Sequence, residues 1–189
     1  MTDFQTVCHG TNKKIYEEIQ NDNHVLIPNY KDDNRLPNDL GDGIYFFGNN
    51  NRFKANICAE KYARRYKNKD SDHITLLFYE LDMNDDYTLD LDDEEHKTNF
   101  IEKREQLNYQ LRTMIKNYNC NLSRGQLDGL LINLMNNSLS GTIKIVKKET
   151  FTQFDDIYKS SNFPNALEIC VKDNSLLTFK NSKHMKIKG

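Results

Sequence analysis

The chain has 189 residues, with 26 Lys and Arg against 28 Asp and Glu, for a formal net charge of −2. That length suits one domain, residues 1–189, with a core of its own, and the charge balance argues against nucleic-acid binding by bulk electrostatics. Hydrophobic residues make up 37%, including 10 Phe and 10 Tyr, which is too much bulky apolar material for a disordered chain.

Residues 4–8 (FQTVC) alternate and carry β-formers, so they predict a short strand that ends at His9. Residues 12–20 place Ile15 and Ile19 on one face of a short helix, with Thr11 or Asn12 as cap. A polar stretch with Pro28, Pro37, Gly41 and Gly43 reads as loop, with a small strand at 25–27. GIYFF (43–47) is a strand by its aromatic and β-branched content. The Asn cluster after it caps a helix whose Ala55, Ala59, Tyr62, Ala63 and Tyr66 share a face. Residues 73–83 (HITLLFYELDM) predict a strand buried on both faces, and 86–92 a second, short one.

From the DDEE run to Tyr118 the apolar positions Phe100, Leu107, Leu111, Met114 and Ile115 predict one long helix, with Asp92 and Glu95 at capping-box spacing. The acidic run answers the helix dipole and needs no metal. Gly125 and Gly129 weaken a helix at 126–135, so that segment is expected to be a strand. Strands are also expected at the start of 142–154, at 166–173, in NSLLTFK and in the terminal HMKIK. Two short helices and one long one among about seven strands predict an α+β fold with a mostly antiparallel sheet.

Several chemistries lack their motifs. There is no G-x-G-x-x-G, phosphate loop, H-E-x-x-H or G-x-S-x-G. The five histidines are scattered and lack ligand spacing, so no metal is expected. Cys8, Cys58, Cys120 and Cys170 form no C-x-x-C pair and read as reduced, mostly buried thiols. No apolar run approaches a bilayer span, and MTDFQTVCHG lacks a secretory pattern, so a cytoplasmic protein without a membrane partner is expected. KYARRYKNK (61–69) reads as a solvated basic face.

Three features place a polar group among apolar neighbours. In CHGT, His9 stands beside Gly10, whose backbone a ligand can approach. In GDGIYFF, Tyr45 offers a ring for stacking. In NALEICVK, Glu168 points away from Leu167 and Ile169, to solvent or to the floor of a cleft.

Together and in order, HGT (9–11), LGDGIYF (40–46), ANICAEKYA (55–63) and NALEICVKDNSLL (165–177) resemble the ADP-ribosyltransferase superfamily. The resemblance is to its His–Tyr–Glu branch, which includes the poly(ADP-ribose) polymerases and diphtheria-toxin-like enzymes. It implies a mostly antiparallel split β-sheet with flanking helices and a central NAD cleft. It also implies that His9 bonds the adenosine ribose, the Gly10 backbone clamps the nicotinamide carboxamide, Tyr45 stacks on the nicotinamide and Glu168 orients the ribose being cleaved. Thr11 and Gly43 belong to the same motifs, and Phe53 or Tyr62 would cover the second face of the ring.

The family's carboxamide-binding Ser is missing; the nearest positions read Lys54 and Ile57. Ala166 stands where arginine-modifying branches carry a second Glu. The implied activity is mono-ADP-ribosyl transfer from NAD to a macromolecular acceptor, protein rather than nucleic acid, with no metal. A toxin or effector of bacterial or phage origin, with an antitoxin or inhibitor as partner, would suit the size. NAD glycohydrolysis, a non-catalytic NAD-binding module and an RNA-directed transferase stay open.

Overall fold

The computed structural model describes residues 3–26, 36–68, 72–118 and 122–187. Among these residues seven strands form one sheet: β1 (Asp3–Asn12), β2 (Ile44–Phe47), β3 (His73–Met83), β4 (Thr88–Asp90), β5 (Ile145–Thr150), β6 (Ala166–Val171) and β7 (Leu177–Lys186). Their order is β4-β5-β6-β2-β1-β3-β7, and every neighbouring pair is antiparallel except β4 with β5. Five α-helices among the described residues flank it: α1 (Lys13–Asn21), α2 (Ala55–Tyr66), α3 (Glu94–Gln106), α4 (Asn108–Tyr118) and α5 (Arg124–Ser138). The fold is α+β, as the sequence predicts. No helix among the described residues is long and apolar enough to cross a membrane.

The sheet has a seam. β1 pairs with β3 at ten positions but with β2 at one, Cys8 with Phe47. Strand alternation assigns the layers on either side. Val7, Phe46, Leu77, Tyr79, Leu167 and Ile169 pack in one cluster, closed by Tyr16 of α1. Cys8, Phe47, Leu76 and Ala166 face Ala55, Cys58 and Ala59 of α2 on the other side. Val146 and Cys170 meet Leu131, Ile132 and Met135 of α5 on that same side. Four consecutive buried residues, Ile74 to Leu77, bear out the prediction that β3 is covered on both faces.

Some expectations are corrected. The first strand runs on to Asn12, so His9 lies inside it and not at its end. Asn12, not Thr11, caps α1, accepting from the Ile15 N–H at 2.8 Å. Val25 and Leu26 are not in a strand, and Ile27 lies outside the described residues. The long helix is two, separated at Leu107; α3 carries no buried residue, so no apolar stripe holds it in line with α4. Its cap is Asp93, which accepts from the Glu95 and His96 N–H groups, while Asp92 instead accepts from the Glu149 N–H at 2.6 Å. The two terminal strand segments are the single strand β7.

The clearest correction is residues 126–135, which are helix α5 and not a strand. Ser123 and Gln126 close a capping box, Ser123 accepting from the Gln126 N–H and Gln126 from the Ser123 N–H. The two glycines serve packing. A side chain on Gly129 would put its Cβ 1.8 Å from the Asn38 carbonyl oxygen, and one on Gly125 would put it 2.9 Å from the Asp39 Cβ. They let α5 lie directly on the turn at 38–41, at the usual propensity cost of glycine in a helix.

Candidate active site

A cavity of about 390 Å³ opens at the seam, where residues of β1, β2 and β6 meet α2 and the start of α5. His9, Gly10, Tyr45, Tyr62 and Glu168 line it, together with Asp39 of the 38–41 turn and Ser123 and Gln126 at the start of α5. Five of the eight predicted site residues are therefore brought together. Thr11, Gly43 and Phe53 do not line it. Thr11 is buried behind the wall, Gly43 packs against Cys170 and Val171, and Phe53 turns into the core beneath β2.

Glu168 reaches the cavity by the alternation of β6. Leu167 and Ile169 enter the core on one face; Ala166, Glu168 and Cys170 share the other. Ala166 sits under α2 and Cys170 under α5, so Glu168 stands in the gap between the helices. Thr152 donates its hydroxyl to Glu168 Oε1. Thr152 is itself held by Asn165, whose Oδ1 accepts from the Thr152 N–H at 2.8 Å and whose Nδ2 donates to the Thr152 carbonyl at 2.9 Å. Burial, and then the neighbouring Asp39 carboxylate, push the Glu168 carboxyl up to about 7, against the pull of the threonine hydroxyls.

Across the seam, His9 Nδ1 lies 2.8 Å from the Tyr45 carbonyl oxygen. A carbonyl only accepts, so Nδ1 carries the proton. Burial, and further the charge of Lys67, hold His9 below its usual pKa despite this bond, so the ring is neutral at pH 7 and Nε2 is an acceptor. The Gly10 backbone forms the adjoining wall because α2 crosses it closely: a Cβ there would lie 2.3 Å from the Ala59 carbonyl oxygen.

The Tyr45 hydroxyl donates to the Gly41 carbonyl at 2.9 Å and accepts from the Leu40 N–H at 2.9 Å. Those bonds fix the ring's plane; burial, and then the neighbouring Cys170 and Asp39, raise its pKa against the pull of the Leu40 N–H, so it is neutral and serves as a surface. Tyr62 lines the cavity from α2, its ring 5.8 Å from Phe47. Lys67 lies over Tyr62, 6.0 Å from the ring centroid. The buried thiols next to the site are inert: burial pushes Cys8 and Cys170 up to about 12.

Sequence reasoning missed Asp39, Thr152, Ser123 and Gln126. The Ser-x-x-Gln spacing of the capping box was readable at 123–126. Asp39 sits in PNDLGDG, where its neighbours signal only a turn. Among the described residues no His, Cys, Asp or Glu group is arranged to hold a metal ion. No protein-family model matches the chain, and no curated protein matches it.

Proposed function

We infer that the protein is an NAD-dependent ADP-ribosyltransferase of the His–Tyr–Glu type. The observation that carries this reading is that His9, Tyr45 and Glu168, from three strands and far apart in the chain, line one cavity at a seam of the sheet. The seam between β2 and β1 also suits the split sheet of that family.

In this reading His9 Nε2 accepts a hydrogen bond from the adenosine ribose. The Tyr45 and Tyr62 rings hold the nicotinamide, whose carboxamide bonds the Gly10 backbone. Cleavage of the N-glycosidic bond builds positive charge on the ribose. Glu168, ionised and held by Thr152, stabilises that charge at a fixed position. Nicotinamide leaves as a neutral molecule, so its departure needs no acid.

The macromolecular acceptor is a protein. At the basic end of α2, Arg64 pairs with Glu60 at 2.8 Å and Arg65 with Asp156 at 2.9 Å, which lowers the charge offered to phosphates. Beside it, Ile157, Tyr158 and Phe163 are exposed on the segment leading into β6.

Incubation with labelled NAD and cell lysate tests the reading. The expected result is nicotinamide release with label on protein, lost in Glu168→Gln. Nicotinamide release with free ADP-ribose alone selects the glycohydrolase. NAD binding without turnover in either protein selects a binding module.

A further inference from the structure

We propose that Asp39 is the general base that takes the proton from a neutral O–H acceptor, the hydroxyl of a protein side chain or water, as it attacks the ribose. This deepens the transferase reading above and rests on it.

The structure builds the 38–41 turn so as to present Asp39. Gly41 N–H donates to the Asn38 carbonyl at 3.0 Å, and Tyr45 uses its hydroxyl on Leu40 and Gly41. The next residue, Asp42, is clamped as well. Its N–H donates to Asn133 Oδ1 at 3.0 Å, Asn133 Nδ2 donates to its carboxylate at 2.7 Å, and Lys172 donates to its carbonyl at 2.7 Å. The two α5 glycines remove the side chains that would otherwise fill the space over Asn38 and Asp39. Asn38 and Asp39 of the turn line the cavity, and Asp39 is the turn's carboxylate, close enough to Glu168 to raise its pKa.

Two carboxylates then have separate tasks. Glu168, tied to Thr152, stays with the ribose. Asp39, on a different element, can meet an acceptor. Burial raises its pKa, while Lys148 and the backbone N–H groups of Asp39 and Leu40 keep the ionised form accessible. The bond from ribose C1′ to the nicotinamide nitrogen breaks, and its electron pair stays on the nitrogen, giving neutral nicotinamide. An oxygen lone pair of the acceptor forms the new C1′–O bond, and its proton passes to Asp39. A carboxylate acceptor would need no base and would be repelled by both side chains. A guanidinium is a delocalised cation with no acceptor lone pair and is not a neutral O–H acceptor.

The test compares Asp39→Asn and Asp39→Ala with the wild type in nicotinamide release from NAD, with and without azide, an anionic nucleophile that needs no base. Both variants are expected to lose 10²-fold or more in kcat, with KM for NAD changed only a few-fold. Azide is expected to restore release and yield ADP-ribosyl azide, whereas Glu168→Gln is not rescued. Mass spectrometry is expected to find the wild-type label on Ser, Thr or Tyr, or as free ADP-ribose, which separates the hydroxyl source from water. Unchanged turnover in Asp39→Asn, or lost turnover that azide does not restore, overturns the proposal. So does label on Asp, Glu or Arg, or on nuclease-sensitive material. A wild type that releases no nicotinamide sinks the transferase reading itself and the base with it.

Discussion

The Nδ1–H of His9 donates to the carbonyl oxygen of Tyr45 at 2.8 Å, so a side chain joins β1 to β2 where the strand ladder has lapsed. This bond fixes the tautomer and leaves Nε2 to accept. His9→Ala removes both the acceptor and the link across the seam. The expected result is a KM for NAD raised roughly 3- to 30-fold, as for losing one or two neutral hydrogen bonds, with a smaller change in kcat. Isothermal titration with NAD and steady-state kinetics check it; an unchanged KM would remove His9 from the binding surface.

Glu168 sets function against stability. Its carboxyl titrates near 7 in the folded protein and near the ordinary 4.5 when unfolded. The folded state therefore holds the proton more tightly, and the stability this contributes is complete below about 4.5 and lost as pH rises through 7. Glu168→Gln cannot ionise and escapes that loss, while its amide oxygen can still accept from Thr152. The variant is expected to lose 10²-fold or more in kcat yet to gain roughly 1–3 kcal/mol of stability at pH 8. Thermal melts should show a gain of several degrees at pH 8 and none at pH 4. A variant less stable than wild type at pH 8 would contradict the desolvated carboxylate.

The same carboxyl predicts the pH profile. Catalysis in this reading needs ionised Glu168, so turnover falls as pH drops below about 7. The groups around it are Asp39, which disfavours ionisation, and the Thr152 and Thr150 hydroxyls, which favour it. Thr152→Val keeps the shape and removes a donor to the charged form. A hydrogen bond to a charged group is worth about 1.5–3 kcal/mol, or roughly one to two pKa units. The acid limb of kcat/KM should therefore shift to higher pH by about that much, with full activity recovered in alkaline buffer. A profile that keeps its midpoint while losing amplitude would leave Thr152 a packing role only.

Local patterns in the sequence carried much of this. A near-continuous apolar run located β3 at its observed bounds, and alternation set Glu168 opposite Leu167 and Ile169. The order of the His, Tyr and Glu motifs placed three cavity residues. What was not legible depended on contacts distant in sequence. Gly129 reads as a helix breaker until the Asn38 carbonyl is known to lie against it. Asp39 reads as turn chemistry until α5 and β6 supply the rest of the cavity. His9 reads as a strand end because Gly10 and Thr11 after the short apolar run read as a turn; both are inside β1, and α2 crosses at Gly10.

Gly129 provides the sharpest test of how α5 shapes the site. Alanine in a helix interior normally gains about 1 kcal/mol over glycine. Here the added carbon would meet the Asn38 carbonyl oxygen at 1.8 Å and the Gly41 nitrogen at 3.2 Å, both backbone atoms that cannot rotate aside. Overpacking of this kind costs about 1–3 kcal/mol, so steric cost wins over propensity and the turn or the helix must shift. Either shift moves Asp39 and loosens the Leu40–Gly41 seat of the Tyr45 hydroxyl. Gly129→Ala is therefore expected to be less stable than wild type and to lose activity out of proportion to stability, at least tenfold in kcat/KM well below its melting temperature. Gly141→Ala is the contrast: its φ is +79° but nothing lies within 4 Å of the added carbon. It should cost stability through backbone strain while leaving kcat/KM unchanged. Equal kinetic losses in the two variants would mean that α5 does not hold the turn.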